Sequence, residues 1–138
     1  MSVKTSSLAT GTFSNTLTVD TDLAYTVQAV KSSGAGSIHM VEIDNTGNVG
    51  TTTAPQHFYL KLYDQGVAPD SADGAEYTLP CPDGQKRQYV CLDGTEFYAG
   101  LWMRGVIETG TNLSPVAGGT DGTTSPTNDV TVRITYSV

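Results

Sequence analysis

Two histidines (His39, His57), two cysteines (Cys81, Cys91) and fourteen acidic side chains are the residues of this 138-residue chain whose types suit catalysis or metal binding. A serine or cysteine hydrolase needs a nucleophile, a base and a group that orients the base. No Gly-x-Ser-x-Gly elbow is present, neither cysteine sits in a known catalytic signature, and both histidines fall in stretches that read as strands. A glycosidase needs two carboxylates across a cleft, but among so many acids the sequence selects no pair. Structural zinc needs more ligands than these cysteines and histidines supply at their spacing. The run Asp44-Asn-Thr-Gly-Asn48 offers oxygen donors without the alternation and terminal glutamate of an EF-hand, so it reads as a turn. The expectation is a protein that is not an enzyme and has no metal site and no cofactor.

The cysteines lie across an expected turn, and spacing alone leaves two readings open: a bridge between neighbouring strands, or two small buried side chains. The reducing compartment expected here favours the second. Each histidine reads as solvent-facing or as hydrogen-bonded in the core. Phe97 and Trp102 read as core. Tyr59 and Tyr63 alternate with Phe58, Leu60 and Leu62, which places them on the opposite, amphipathic face, where tyrosine suits a protein interface.

Acidic residues outnumber basic ones fourteen to seven, giving a net charge of −7. That balance argues against a surface that grips phosphate backbones. The first fourteen residues carry one lysine and no apolar core of signal-peptide length, and no stretch is apolar enough to span a bilayer. The expectation is a product made in a cytoplasm, with no nucleic-acid or membrane partner. Charged residues are only 15% of the chain, below the roughly 25% of ordinary domains. Polar Thr, Ser, Gly and Asn take their place, as suits strands joined by tight turns.

The elements that must position these residues are strands. Val130, Val132, Ile134 and Tyr136 alternate with polar residues, and Gln56 to Tyr63 alternates in the same way. From Ser37 to Asp44 the apolar parity switches, which implies burial on both faces or a bulge. Further strands are expected at Ala75 to Leu79, Lys86 to Leu92 and Glu96 to Glu108, the last broken by Gly100 and Gly105. Asp20 to Lys31 fits a helical face through Leu23, Val27 and Val30 or a strand face through Tyr25, Val27 and Ala29, and its Thr, Val and Tyr content favours strand. Turn residues recur at Asn45-Thr-Gly47, Asp64-Gln-Gly66, Pro82-Asp-Gly84, Asp93-Gly94 and Asp121-Gly122. Gly110 to Asn128 is an expected long exposed loop. Together these predict one all-β domain, an antiparallel β-sandwich of jelly-roll-like type with about eight strands, over residues 21–138. Residues 1–20 are expected to be an extended arm.

An apolar strand ending in Ile43-Asp-Asn45 is followed by Phe58-Tyr-Leu-Lys-Leu-Tyr-Asp64, a loop containing Pro69, Leu79-Pro-Cys-Pro82 and Glu96-Phe-Tyr-Ala-Gly-Leu101. This series resembles small β-sandwich virion proteins of tailed bacteriophages, over roughly the last hundred residues. The resemblance implies a capsid decoration (cement) protein that bridges capsid subunits, or a subunit of a head fibre or tail appendage. Its partners would be the major capsid protein or another virion protein. It would be a homo-oligomer, trimer favoured, on the virion exterior. The alternative is a receptor- or carbohydrate-binding module of a fibre or appendage tip, with the long loop and exposed aromatics carrying recognition. An arm can dock on a neighbour by adding a strand, or it can fray. Val3, Leu8 and Phe13 of the arm, with Tyr59 and Tyr63, are the candidate partner-binding residues.

Overall fold

The structure, a computed structural model, describes residues 3–10, 13–52, 55–70, 73–107 and 125–138, and for residues before Asn15 the backbone path only. Among the described residues there are nine strands: β1 (Val3–Thr10), β2 (Phe13–Asp20), β3 (Gln28–Lys31), β4 (Gly36–Asp44), β5 (Phe58–Asp64), β6 (Tyr77–Cys81), β7 (Lys86–Phe97), β8 (Leu101–Ile107) and β9 (Thr131–Ser137). They form two antiparallel sheets, ordered β1-β2-β9-β4-β7 and β3-β8-β5-β6.

The order has a simple origin. Strands β5 and β6 pair, and outside them β4 pairs with β7, β3 with β8 and β2 with β9. The chain from β2 to β9 is thus one long nested hairpin. It curls so that β4 also meets β9 and β5 also meets β8. That is the jelly-roll arrangement, in which two four-stranded sheets face each other across one core. Strand β1 is a fifth strand on the first sheet, turned back along β2 in register from Val3 opposite Asp20 to Thr10 opposite Phe13.

Burial follows the alternation. Along β9, Val132, Ile134 and Tyr136 point inward while Thr131, Arg133 and Thr135 are half-buried on the other face. Opposite them, Phe58, Leu60 and Leu62 of β5 and Met103 of β8 complete the core. The rings of Phe97 and Tyr136 meet edge to face at 6.1 Å. The Tyr136 hydroxyl donates to the Val30 carbonyl at 3.3 Å, tying one sheet to the other.

Several expectations are refined. Only Gln28–Lys31 of the ambiguous segment is strand; before it, Leu23 drops into the core, its N–H bonded to the Val130 carbonyl at 3.1 Å. The parity switch in β4 is a bulge at His39, where the register shifts against both β7 and β9. Asp93-Gly94, expected as a turn, lies inside β7, which runs on to Phe97. Within the expected arm, Val3–Thr10 and Phe13–Asp20 are strands paired with each other, the second also hydrogen-bonded to β9, with Thr18 and Asp20 fully buried. Of the expected long loop, residues 110–124 lie outside the described part.

Gly105 does not break β8. A Cβ at this position would lie 2.3 Å from the Phe58 ring, so the missing side chain is the space that the ring occupies. Gly105→Ala is expected to displace the ring and cost about 2 kcal/mol of stability. Urea unfolding checks this; an unchanged midpoint would mean that the ring has room elsewhere.

Candidate functional site

The histidines are held by structural hydrogen bonds. The bulge turns His39 toward β9, where its Nε2 lies 2.7 Å from Ser137 Oγ. Sequence reading missed this pair, because a bulge changes which side chains share a face. Among the described residues no carboxylate bonds the other ring nitrogen, so the orienting member of a triad is lacking there. His57 Nδ1 accepts the Asp83 N–H at 3.3 Å, and Asp83 Oδ2 accepts the Gly50 N–H at 2.9 Å, so this histidine clamps loops. Both cysteines are free thiols, Cys81 buried and Cys91 half-buried. Burial pushes the Cys81 thiol up from its ordinary value, away from the thiolate form that reactivity requires.

The turn at Asp44–Asn48 is built from amides. Asn45 and Asn48 are 0% and 1% exposed. The Asn45 side-chain amide donates to the carbonyls of Gln56, Cys81 and Pro82 at 3.0, 3.3 and 3.2 Å, and its oxygen accepts from Asn48 Nδ2 at 3.0 Å. Asn48 also bridges to Asn128 through both side-chain atoms. These oxygens and nitrogens are spent on joining four loops at one end of the sandwich. Asp44 accepts from the Thr46 hydroxyl at 2.6 Å and faces Lys86 at 2.9 Å. The Thr46 hydrogen bond, helped by Lys86, holds its carboxyl down at about 2.

Tyr59 and Tyr63 lie opposite Phe58, Leu60 and Leu62 as expected, yet they are 5% and 3% exposed, which corrects the expectation of a wet outer face. Arg104 of β8 covers Tyr63: its guanidinium lies 4.9 Å from that ring centre and 5.6 Å from the Tyr25 ring. It donates to the Tyr63 hydroxyl at 2.6 Å and to the Asp70 carbonyl at 3.0 Å. The cation keeps its hydrogen bonds while two aromatic faces seal it. Tyr59 packs beside His57 and Pro80. Neither tyrosine offers surface to a partner as the sandwich stands. Val3, Leu8 and Phe13 fall on the N-terminal hairpin, and their side chains lie outside the described part.

The open surface is elsewhere. Strands β7 and β6 end their sheets on the same side of the sandwich, each with a hydrogen-bonded neighbour on one side only among the described strands. Between them runs a groove of about 190 Å³ that opens into the core at Ile38, Val41 and Leu62. Tyr77 and Leu79 form its β6 wall. Tyr89 to Cys91 form the β7 wall, and the Tyr89 hydroxyl closes one end by donating to the Pro80 carbonyl. Among the described residues no charged side chain lines it. No protein-family model and no curated protein matches this chain.

Beside the groove, β7 bulges further than any other strand. Ile38 pairs with Thr95 and Met40 with Val90, so His39 alone stands opposite four residues, Cys91 to Gly94. Gly94 allows the detour with φ of +78°. The detour lifts Leu92 to 91% exposure, next to Val90 at 59%. Sequence reading gave no hint of this site, since the edge position of a strand is set by sheet order and not by the residues along it.

Proposed function

We propose that this chain is a structural protein of a virion surface, a capsid decoration (cement) protein in type, which works by binding other protein chains along the open β6–β7 side. The observation that carries the reading is the uncharged groove flanked by two sheet edges and capped by an exposed leucine and valine. Contiguous apolar surface beside unpaired strand edges is the usual mark of a protein-binding face. A sugar would ask for carboxylates, amides or hydroxyls at several points, and the groove offers the Thr95 hydroxyl and two tyrosines. The jelly roll adds support at the level of analogy, as it recurs in viral capsid proteins, but also in lectins and cupins.

Cementing needs no chemistry. A chain that spans neighbouring subunits makes their separation expose apolar area and break several contacts together. An acidic protein can do this on a capsid exterior without competing for packaged DNA. The test is co-sedimentation of the purified chain with empty tailed-phage capsids, alongside a glycan-binding screen. Saturable binding to capsids with no glycan retained is the expected result. Glycan retention without capsid binding would transfer the role to an appendage tip.

A further inference from the structure

The edge strand that borders the groove carries its charges at opposite ends. Lys86 and Arg87 open β7, Asp93 and Glu96 close it, and all four are exposed. Leu92 and Val90 lie between the two ends, at the tip of the bulge and just before it. Each copy therefore presents an apolar knob directly beside an apolar groove.

We propose that a second copy of this chain occupies the groove: two chains meet along β7 across a two-fold axis perpendicular to that strand, and Leu92 of each enters the β6–β7 groove of the other. This deepens the reading of that side as a protein-binding face and rests on it. An axis perpendicular to β7 runs the two strands antiparallel, so Lys86 and Arg87 of one copy face Asp93 and Glu96 of the other. A parallel arrangement would set like charges together. An isologous contact of this kind requires one patch to be complementary to itself, and a strand with basic start, apolar middle and acidic end meets that requirement.

The bulge supports this choice over an ordinary strand addition. Its four residues interrupt any continuous ladder along the β7 edge. Association is then left to a partner that accepts the protruding leucine. Existing contacts of the charged groups are weak competitors. Lys86 pairs with Asp44 at the surface, Arg87 donates to the Gln85 amide oxygen at 3.2 Å, and Glu96 accepts from Tyr98 at 2.7 Å.

The experiment is light scattering on the purified full chain and on three variants: Leu92→Asp, the all-acidic Lys86→Glu/Arg87→Glu, and the all-basic Asp93→Lys/Glu96→Lys. All the changed side chains are exposed, and matching circular dichroism confirms that each variant folds. Wild type is expected at about twice 14.5 kDa. Each variant alone is expected to associate at least about tenfold more weakly, and a mixture of the all-acidic and all-basic variants to recover the double mass. A monomeric wild type, an oligomer indifferent to Leu92→Asp, or a mixture that stays monomeric would each overturn the proposal. Wild type that is monomeric yet binds capsids in a Leu92-dependent way would assign the groove to a foreign chain. A dimer that ignores capsids would keep the self-association and remove the virion role.

Discussion

Replacing Asn45 by alanine is expected to lower the unfolding free energy by about 3–5 kcal/mol, a large part of what a domain of this size has in total. The side chain is fully buried, and its amide is the donor for the carbonyls of Gln56, Cys81 and Pro82. Alanine leaves those carbonyls short of a donor and removes the acceptor for Asn48 Nδ2. Each buried group left unpaired costs about 1–3 kcal/mol, more than the net worth of the bond that it made. Asn45→Asp should be at least as damaging, because a carboxylate in that position faces three carbonyl oxygens with no proton to offer. Urea unfolding of the two variants checks this. A loss below about 1 kcal/mol in both would mean that water enters the loops and replaces the amide.

Asp20→Asn is expected to act in the opposite direction, stabilising the protein at neutral pH by up to about 3 kcal/mol. Asp20 is fully buried at the end of β2, and among the described residues its Oδ2 has no hydrogen-bond partner. Burial raises its carboxyl to about 6 from an ordinary 3.8, and hydrogen bonding and charge from the Asp22 carboxylate add to the rise. The sign follows from which state binds the proton more tightly. Between about 4 and 6 the folded chain holds a proton that the unfolded chain releases, so the fold gains stability as pH falls through this range. Above pH 6 the buried carboxylate is charged, and its cost is complete. Asparagine keeps the oxygen that accepts the Asp22 N–H at 3.0 Å and puts a donor where the orphan oxygen was.

The pH profile of the wild type should therefore peak on the acid side of neutrality. Asp44 sets the lower limit: held at about 2 by Thr46 and Lys86, it contributes stability above 3.8 that is lost as pH falls toward 2. Thermal unfolding from pH 3 to 8 should show a maximum near pH 4–5, and Asp20→Asn should flatten the decline toward pH 7. A wild-type profile that is level from pH 4 to 7 would mean that water reaches Asp20. Because Asp20 stands opposite Val3 and Val132 in the strand registers, the same proton bears on how firmly the N-terminal hairpin is joined to β9.

What could be read from the sequence follows the physics of each element. Strands β5 and β9 were legible, because a two-residue period reports a sheet whose inner face is apolar. The all-β sandwich class followed from several such runs between turn residues. The bulge in β4 was one of two readings, and the switch of parity was its signal. Strand order was not legible, since nested pairing is decided by contacts as distant as Thr16 with Tyr136. The Asp93-Gly94 pair reads as a turn in sequence because a turn and a wide bulge need the same backbone. Alternation gives Tyr59 and Tyr63 their direction, but no local pattern reveals that Arg104 will cover Tyr63 or that Tyr59 will pack beside His57 and Pro80. The β6–β7 groove was invisible for the reason that conceals strand order: it exists only where two sheets end on the same side.

The most direct test of the protein-binding role is light scattering on the purified chain, alone and mixed with empty capsids of a tailed phage. A self-associated species that co-migrates with the capsids is the expected result, with both associations weakened by Leu92→Asp. A monomer that passes through the mixture unchanged would contradict it.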